Sequence, residues 1–303
     1  MSTTATKTSA ENGQVPSKIV VETAKHDQHE DGALVEADGQ EDIEIIGNLW
    51  TIPTFEDKYL ERQWAKEHMA GAFRIFAKLG YTDGAGGHIS LRDPVRPDCF
   101  WINPYSVHFG MVNASDLILV NDNGRPLLPT NHKVNKAGFM IHAAIHKARP
   151  DINAAVHTHS PYGRAWSAFG KPIEMLNQDC CYFYNDLSIY EGFGGVVFGR
   201  EEGQNIAKAL GPRKKCVILQ NHGLLTCGGT VDEAAAFFHA LEQACQAQLL
   251  AEAAAANGCQ KRIIGDEEAA FTKERAGTAE VLFTQFKPEY EMILKETGGD
   301  FLQ

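Results

Sequence analysis

Residues 151–163, DINAAVHTHSPYG, constrain the fold more than any other part of the chain. Pro150 ends a preceding helical pattern, and the apolar run at 152–156 predicts a buried strand. Because strand side chains alternate between faces, His157 and His159 point the same way at the end of this strand. Two imidazoles on one face can bind one metal ion. The spacing by itself also fits two ordinary polar residues that close a strand.

The rest of the chain mixes helical and strand patterns. Helical periodicity covers 57–79, 134–148 and 230–256, and further amphipathic helix follows towards the C-terminus. Short strand patterns occur in HISLR, CFWINP, DLILVN, CVILQN and LLTCGG, with a tight hairpin turn at NDNG. Several strands are joined by hairpins rather than by crossover helices. This order predicts an antiparallel or mixed sheet covered by helices.

Charge divides the chain unevenly. Residues 1–48 hold ten acidic residues and three lysines, and so carry −7 of the net charge of −11. They lack apolar periodicity, which predicts a disordered acidic N-terminal tail. We expect a main domain at 49–265 and a C-terminal helical extension at 266–303. The nearly balanced remainder has no basic face, so we expect no nucleic-acid partner.

The sequence also predicts a cytoplasmic protein without a membrane partner. No apolar run is long enough for a transmembrane helix, and the N-terminus lacks the apolar segment of a secretory signal. The seven cysteines have no C-x-x-C spacing. They are predicted to be reduced thiols, as in a cytosolic protein.

Other histidines are candidates for completing a metal site. His222 lies between an apolar strand and Gly223, where the backbone must turn, so it is either a turn residue or a third ligand. Three histidines leave coordination positions open for substrate or water, as in catalytic sites. His142 and His146, four residues apart on a helix, lie beside the apolar face formed by Ile141 and Ile145. We interpret them as boundary residues of that helix.

These motifs together resemble the class II aldolase/adducin family. The resemblance rests on RPDINAAVHTHSPYGRAWSAFG, LQNHGLLTCGGTVDEAA and GGHISLRDP, and VNKAGFMIHAAIHKARPD is similar to the adducin-like branch. It implies an α/β fold, namely a three-layer α/β/α class II aldolase-like domain with a central, mainly antiparallel sheet. It also implies a homotetramer. By the same resemblance, His157, His159 and His222 hold Zn²⁺, or Mn²⁺ or Fe²⁺ in its place.

The chain departs from that family's aldolases at two places. Their catalytic acid lies nineteen residues before the first ligand histidine, and this chain has Gly138 there. A glycine can neither move a proton nor bind a metal through a side chain. The segments that hold a phosphate in the family read GHIS, PYS and VNK here. The departures imply a small, non-phosphorylated oxo or hydroxy substrate.

Several side chains could serve such a substrate. For Arg164, an ion pair with another side chain is as good an interpretation as a contact with the substrate. The candidates for a proton relay in place of the missing acid are Tyr105, His132, Lys136 and His142, and those for substrate binding are Gly87, His88, Ser106 and Arg164.

Three functions remain open. The first is a divalent-metal-dependent lyase, of aldolase or decarboxylase type. The second is a non-catalytic, adducin-like oligomerisation scaffold, although a scaffold has no chemical need for three ligand histidines. The third is a metal-dependent oxygenase, because a three-histidine site accepts several divalent ions.

Overall fold

The structure is a computed structural model that describes residues 50–195 and 199–303. The predicted acidic tail at 1–48 lies outside the described residues. The strands are β1 His88–Arg92, β2 Phe100–Ile102, β3 Ile118–Val120, β4 Ala154–Thr158, β5 Leu187–Tyr190, β6 Cys216–Leu219 and β7 Gly223–Gly228. The helices are α1 Lys58–Lys78, α2 Lys136–Ala148, α3 Pro161–Ser167, α4 Arg200–Leu210, α5 Val231–Ala256, α6 Asp266–Ala276 and α7 Ala279–Thr297.

The strands form one mixed sheet in the order β3-β2-β1-β4-β7-β6-β5. All neighbouring strands are antiparallel except β5 and β6. The prediction of a mainly antiparallel sheet is therefore confirmed. β4 lies in the middle of this order, between β1 and β7, and is buried along its whole length. The strand that contains His157 and is followed by His159 thus occupies the buried position that its apolar sequence predicted.

Helices cover both faces of the sheet, which makes the predicted three layers. On one face α1, α3, α5 and α7 pack around a large core that includes Ile218 and Leu224. On the other face α2 and α4 pack on Val217, Leu219 and Leu225. Alternate residues of β6 and β7 therefore serve opposite cores, as strand geometry requires.

The helix boundaries follow local capping signals. The pattern predicted a helix from residue 134, but α2 begins at Lys136 because the Asn135 side chain accepts hydrogen bonds from the backbone N–H groups of Ala137 and Gly138. The Thr230 hydroxyl caps α5 in the same way, accepting from the Glu233 N–H. No helix in the described part of the chain combines the length and the apolar composition needed to cross a bilayer.

The C-terminal helices pack on the main domain. Leu282 and Phe286 of α7 are buried in the same core as α1 and α5. The backbone N–H of Ser115 donates to the carbonyl of the last residue, Gln303. Segment 266–303 therefore shares the core of the domain before it, and the boundary after residue 265 remains a prediction.

Candidate metal centre

Two of the predicted ligands lie at the end of β4. His157 is 1% exposed, and its Nδ1 lies 2.7 Å from the carbonyl oxygen of Leu224 on the neighbouring β7. A carbonyl only accepts, so Nδ1 carries the hydrogen and Nε2 is left without one. His159 follows one residue after the strand and is partly exposed. Orienting a ring through its second nitrogen is the usual arrangement of histidine metal ligands.

His222 reaches the same place from the turn between β6 and β7. Asn221, with φ of +58°, and Gly223, with φ of +155°, make this turn sharp. As a result, the Nε2 atoms of His222 and His159 lie 3.1 Å apart. One ring nitrogen from each of His157, His159 and His222 lies within 4.8 Å of the others. This donor set fits a divalent ion with positions left open.

The surroundings keep these imidazoles unprotonated. Burial holds the pKa of His157 well below its ordinary value. Burial, together with the neighbouring His159, lowers the pKa of His222 to about 4. Burial also lowers the pKa of His159, although Asp83 opposes this effect. Unprotonated imidazole is the form that binds metal, so the cluster is in its binding form at neutral pH.

Asp83 was not singled out from the sequence, yet it lies beside the cluster. Its Oδ2 is 3.6 Å from Nδ1 of His159 and 3.0 Å from the guanidinium of Arg164. Arg164, a predicted substrate-binding residue, thus forms an ion pair at the edge of the site. The only sequence signal for Asp83 is that it lies just ahead of the glycine-rich turn, in YTDGAGG.

The glycine-rich turn allows this close approach. A Cβ on Gly86 would lie 3.2 Å from Nδ1 of His159. Gly87, a predicted substrate-binding residue, has φ of +87°, and a Cβ there would lie 2.8 Å from the Phe109 ring. Both the space and the backbone conformation at residue 87 therefore require glycine.

A second acid missed from the sequence holds the turn that follows His159. Glu242 of α5 is buried and accepts from the Ser160 hydroxyl and from the backbone N–H groups of Tyr162 and Gly163. These N–H groups belong to the first turn of α3, where a carboxylate is favoured. Glu242 thus fixes the path of the chain immediately after His159.

Two predicted residues lie directly beside the ligand cluster. His88 of β1 is the cross-strand partner of His157, and their ring centroids are 4.8 Å apart. His142 of α2 contacts His88, with its Nε2 2.6 Å from Nδ1 of His88. The boundary interpretation of His142 and His146 is wrong. Both are buried against the sheet, because Ser90 of β1 offers them a hydrogen-bonding partner.

The remaining predicted residues lie on exposed surface. Tyr105 and Ser106 follow β2, and Lys136 begins α2. His132 lies 3.4 Å from the carboxylate of Asp116. Among the described residues, no hydrogen bond or ion pair joins these four side chains to the three clustered histidines. Their roles therefore remain predictions.

Known proteins are similar to this chain in both sequence and fold. The pattern of the Class II Aldolase and Adducin N-terminal domain matches residues 67–249. Decarboxylase NovR of Streptomyces niveus is 38% identical over 80% of this chain and 88% of its own. The 4-hydroxy-3-prenylphenylpyruvate oxygenase/4-hydroxy-3-prenylbenzoate synthase of Streptomyces roseochromogenus subsp. oscitans is also 38% identical, over 80% of this chain and 86% of its own.

Among solved structures, the L-fuculose 1-phosphate aldolase from Glaciozyma antarctica PI12 is 42% identical, with a TM-score of 0.75. The match covers 83% of this chain and 96% of that one. The α/β fold predicted from the sequence is therefore confirmed by a structure of substantial sequence identity. The family pattern covers more than half of the chain, and the relatives align along most of their length. The chain belongs to the class II aldolase/adducin family.

Proposed function

We propose that the protein is a divalent-metal-dependent lyase, of aldolase or decarboxylase type, that acts on a small, non-phosphorylated oxo or hydroxy substrate. The observation that carries this proposal is the convergence of His157, His159 and His222, whose ring nitrogens lie within 4.8 Å of one another. These imidazoles are neutral and lack a carboxylate among them. A set of neutral donors leaves the positive charge of the ion available to the substrate.

The three histidines would hold Zn²⁺, or Mn²⁺ or Fe²⁺ in its place. When bound, such an ion acts as a Lewis acid that polarises a carbonyl group and stabilises the negative charge left after C–C cleavage. The chain's own residues prepare the site. The Leu224 carbonyl fixes the ring of His157, Asp83 faces the ring of His159, and Glu242 holds the turn behind it.

The sequence departures support a non-phosphorylated substrate. His88 follows Gly87 where the family's sugar-phosphate enzymes have an asparagine, and this imidazole is buried between β1 and α2. Burial holds the pKa of His88 well below its ordinary value. An asparagine has two amide hydrogens that it can donate to a phosphate, whereas a neutral imidazole has one ring hydrogen, and Nδ1 of His88 is already paired with Nε2 of His142.

The relatives also bear on the proposal. NovR is named a decarboxylase, which is a lyase activity. The Streptomyces roseochromogenus relative is named an oxygenase that acts on a phenylpyruvate. This second name favours a metal-dependent oxygenase as the alternative function. A homotetramer, predicted by family resemblance, is also part of the proposal, and light scattering of the purified protein tests it.

Metal analysis separates the candidate functions. Protein purified without added metal should contain about one ion per chain, whereas the His157→Ala, His159→Ala double variant should contain almost none. The matched control is a His108→Ala, His239→Ala double variant, which removes two imidazoles outside the cluster and should keep the ion. Zinc or manganese supports the lyase, and iron supports the oxygenase. A wild type without stoichiometric metal contradicts both enzymatic functions and supports the scaffold.

Oxygen uptake gives a second, independent separation. Aryl and alkyl 2-oxo acids are supplied to the metal-loaded protein while dissolved oxygen and carbon dioxide are followed. A lyase releases a product without consuming oxygen. Oxygen uptake that matches product formation contradicts the lyase.

A further inference from the structure

A continuous chain of hydrogen bonds starts at His88, beside the metal centre, and runs into the interior, and the proposed function leaves it unexplained. Nδ1 of His88 lies 2.6 Å from Nε2 of His142, and Nδ1 of His142 lies 2.5 Å from Oγ of Ser90. The same Oγ lies 2.8 Å from Nε2 of His146, and Nδ1 of His146 lies 3.4 Å from the Ile152 carbonyl. Each of the four side chains is at most 5% exposed. A buried polar network of this kind is costly unless it is fully paired.

The far end of the chain sets the direction of every hydrogen bond in it. A carbonyl only accepts, so His146 carries its hydrogen on Nδ1 and accepts at Nε2 from the Ser90 hydroxyl. Ser90 has then used its single hydrogen, so it accepts from Nδ1 of His142. Burial lowers the pKa of both His142 and His146 to about 3, so each ring is neutral and has one hydrogen. Nε2 of His142 therefore accepts from Nδ1 of His88.

One tautomer of His88 follows from this order. Its Nδ1 carries the hydrogen, and its Nε2 has only a lone pair. No described residue hydrogen-bonds to this Nε2. The ring centroid of His88 lies 4.8 Å from that of His157. The lone pair of Nε2 therefore belongs to a ring at the edge of the metal centre.

The absence of a side chain at Gly138 leaves room for the imidazole of His88. A Cβ on Gly138 would lie 2.4 Å from Cδ2 and 2.9 Å from Nε2 of His88. Any side chain at 138 would displace the ring. By the family resemblance, related aldolases have an acid at this position. His88 occupies the space where a side chain at 138 would begin.

We propose that His88 contacts the substrate through Nε2, as a hydrogen-bond acceptor for a hydroxyl group, and that His142, Ser90 and His146 are positioning residues that fix its tautomer. A lone pair at this point attracts a hydroxyl and repels a phosphate or a carboxylate. The proposal rests on the proposed function and refines it, because it assigns the substrate an uncharged hydroxyl on the side of the metal centre that faces α2.

The tautomer can be measured without substrate. Zinc-loaded protein with nitrogen-15 histidine is studied by imidazole NMR, and the signals of His88 are assigned by their loss in His88→Asn. The wild type should show His88 protonated at Nδ1 alone. Ser90→Ala breaks the chain and should give a mixture of tautomers. Ser167→Ala removes another fully buried hydroxyl, on α3, and should leave the wild-type spectrum. A His88 protonated at Nε2 in the wild type overturns the proposal.

The contact with a hydroxyl is tested with two small probes, glycolate and methoxyacetate, which differ in the hydroxyl hydrogen. Calorimetric titration of zinc-loaded wild type should show about fivefold tighter binding of glycolate, the size of one hydrogen bond. His88→Leu, which has no hydrogen-bond acceptor, should lose most of this preference and retain its zinc. An unchanged preference in His88→Leu, or a wild type that holds zinc and does not prefer glycolate, overturns the proposal. A wild type that holds no zinc contradicts the proposed function instead.

Discussion

The two faces of the sheet bury different kinds of side chain. The face under α1, α5 and α7 packs aromatic rings, among them Phe73, Phe76 and Phe238, all 0% exposed. The face under α2 packs Ile141, Ile145 and the stacked pair Phe100 and Phe139 next to a row of histidines. A fully buried phenylalanine contributes up to about 3 kcal/mol by removing apolar surface from water. The face under α1, α5 and α7 can therefore stabilise a fold whose other face also buries polar groups.

This comparison predicts that the two faces can be altered independently. Phe238→Ala leaves a cavity in the aromatic core and should lower the free energy of unfolding by about 3–5 kcal/mol. The three clustered histidines lie at the strand ends and do not contact this ring, so the folded variant should keep its metal. Denaturant unfolding and metal analysis of the same sample check both parts.

The control for this prediction is Phe271→Ala. Phe271 is 61% exposed, and its removal should cost less than about 1 kcal/mol. Loss of metal from folded Phe238→Ala would show that the aromatic core holds the site in place. That result would contradict the independence of the two faces.

Acid should act on the α2 face. Burial lowers the pKa of His142 and His146 to about 3 in the folded chain, whereas an unfolded histidine has a pKa near 6.5. Each group therefore contributes stability that is complete above pH 6.5 and is lost as the pH falls towards 3, because only the unfolded chain then binds a proton. At pH 5 the loss is about 2 kcal/mol for each histidine.

The measurement is the free energy of unfolding at pH 7 and at pH 5. His146→Leu should lose about 2 kcal/mol less than the wild type over this interval. Phe238→Ala, on the opposite face, should show the wild-type pH dependence although it is less stable overall. Equal pH dependence in His146→Leu and the wild type would mean that this imidazole is not held neutral by burial.

The sequence predicted the parts of the molecule that depend on local periodicity. β4, α5 and the mainly antiparallel sheet follow from apolar spacing and from hairpin-like connections. His157 and His159 could be paired because residues two apart on a strand share a face. His222 could be added because a strand end and a turn place it at a corner, and because of the family resemblance.

The missed parts depend on contacts between distant segments. Ser90 and His146 meet although they are 56 residues apart. From the apolar periodicity of α2, we interpreted His146 as a residue at the edge of the apolar face. That interpretation assumes that a buried helix face packs only on apolar side chains. Asp83 and Glu242 are single acids, and acids are common on surfaces. Only the folded chain brings them next to His159 and to the turn that follows it.

Asp83 offers the smallest and most specific test, because it faces His159 in the proposed metal centre and is about half exposed. Asp83→Asn removes the carboxylate that faces Nδ1 of His159 and should weaken zinc binding by about 10- to 100-fold. Asp83 and Arg164 are both about half exposed, so the free energy of unfolding should change by less than about 1 kcal/mol.

Arg164→Ala is the matched variant with the opposite expectation. It removes a positive charge near the site and frees the Asp83 carboxylate, so zinc should bind equally well or more tightly. Zinc affinities are measured by competition with a chelator. Equal weakening in both variants would mean that the ion pair itself, rather than the carboxylate on His159, supports the metal centre.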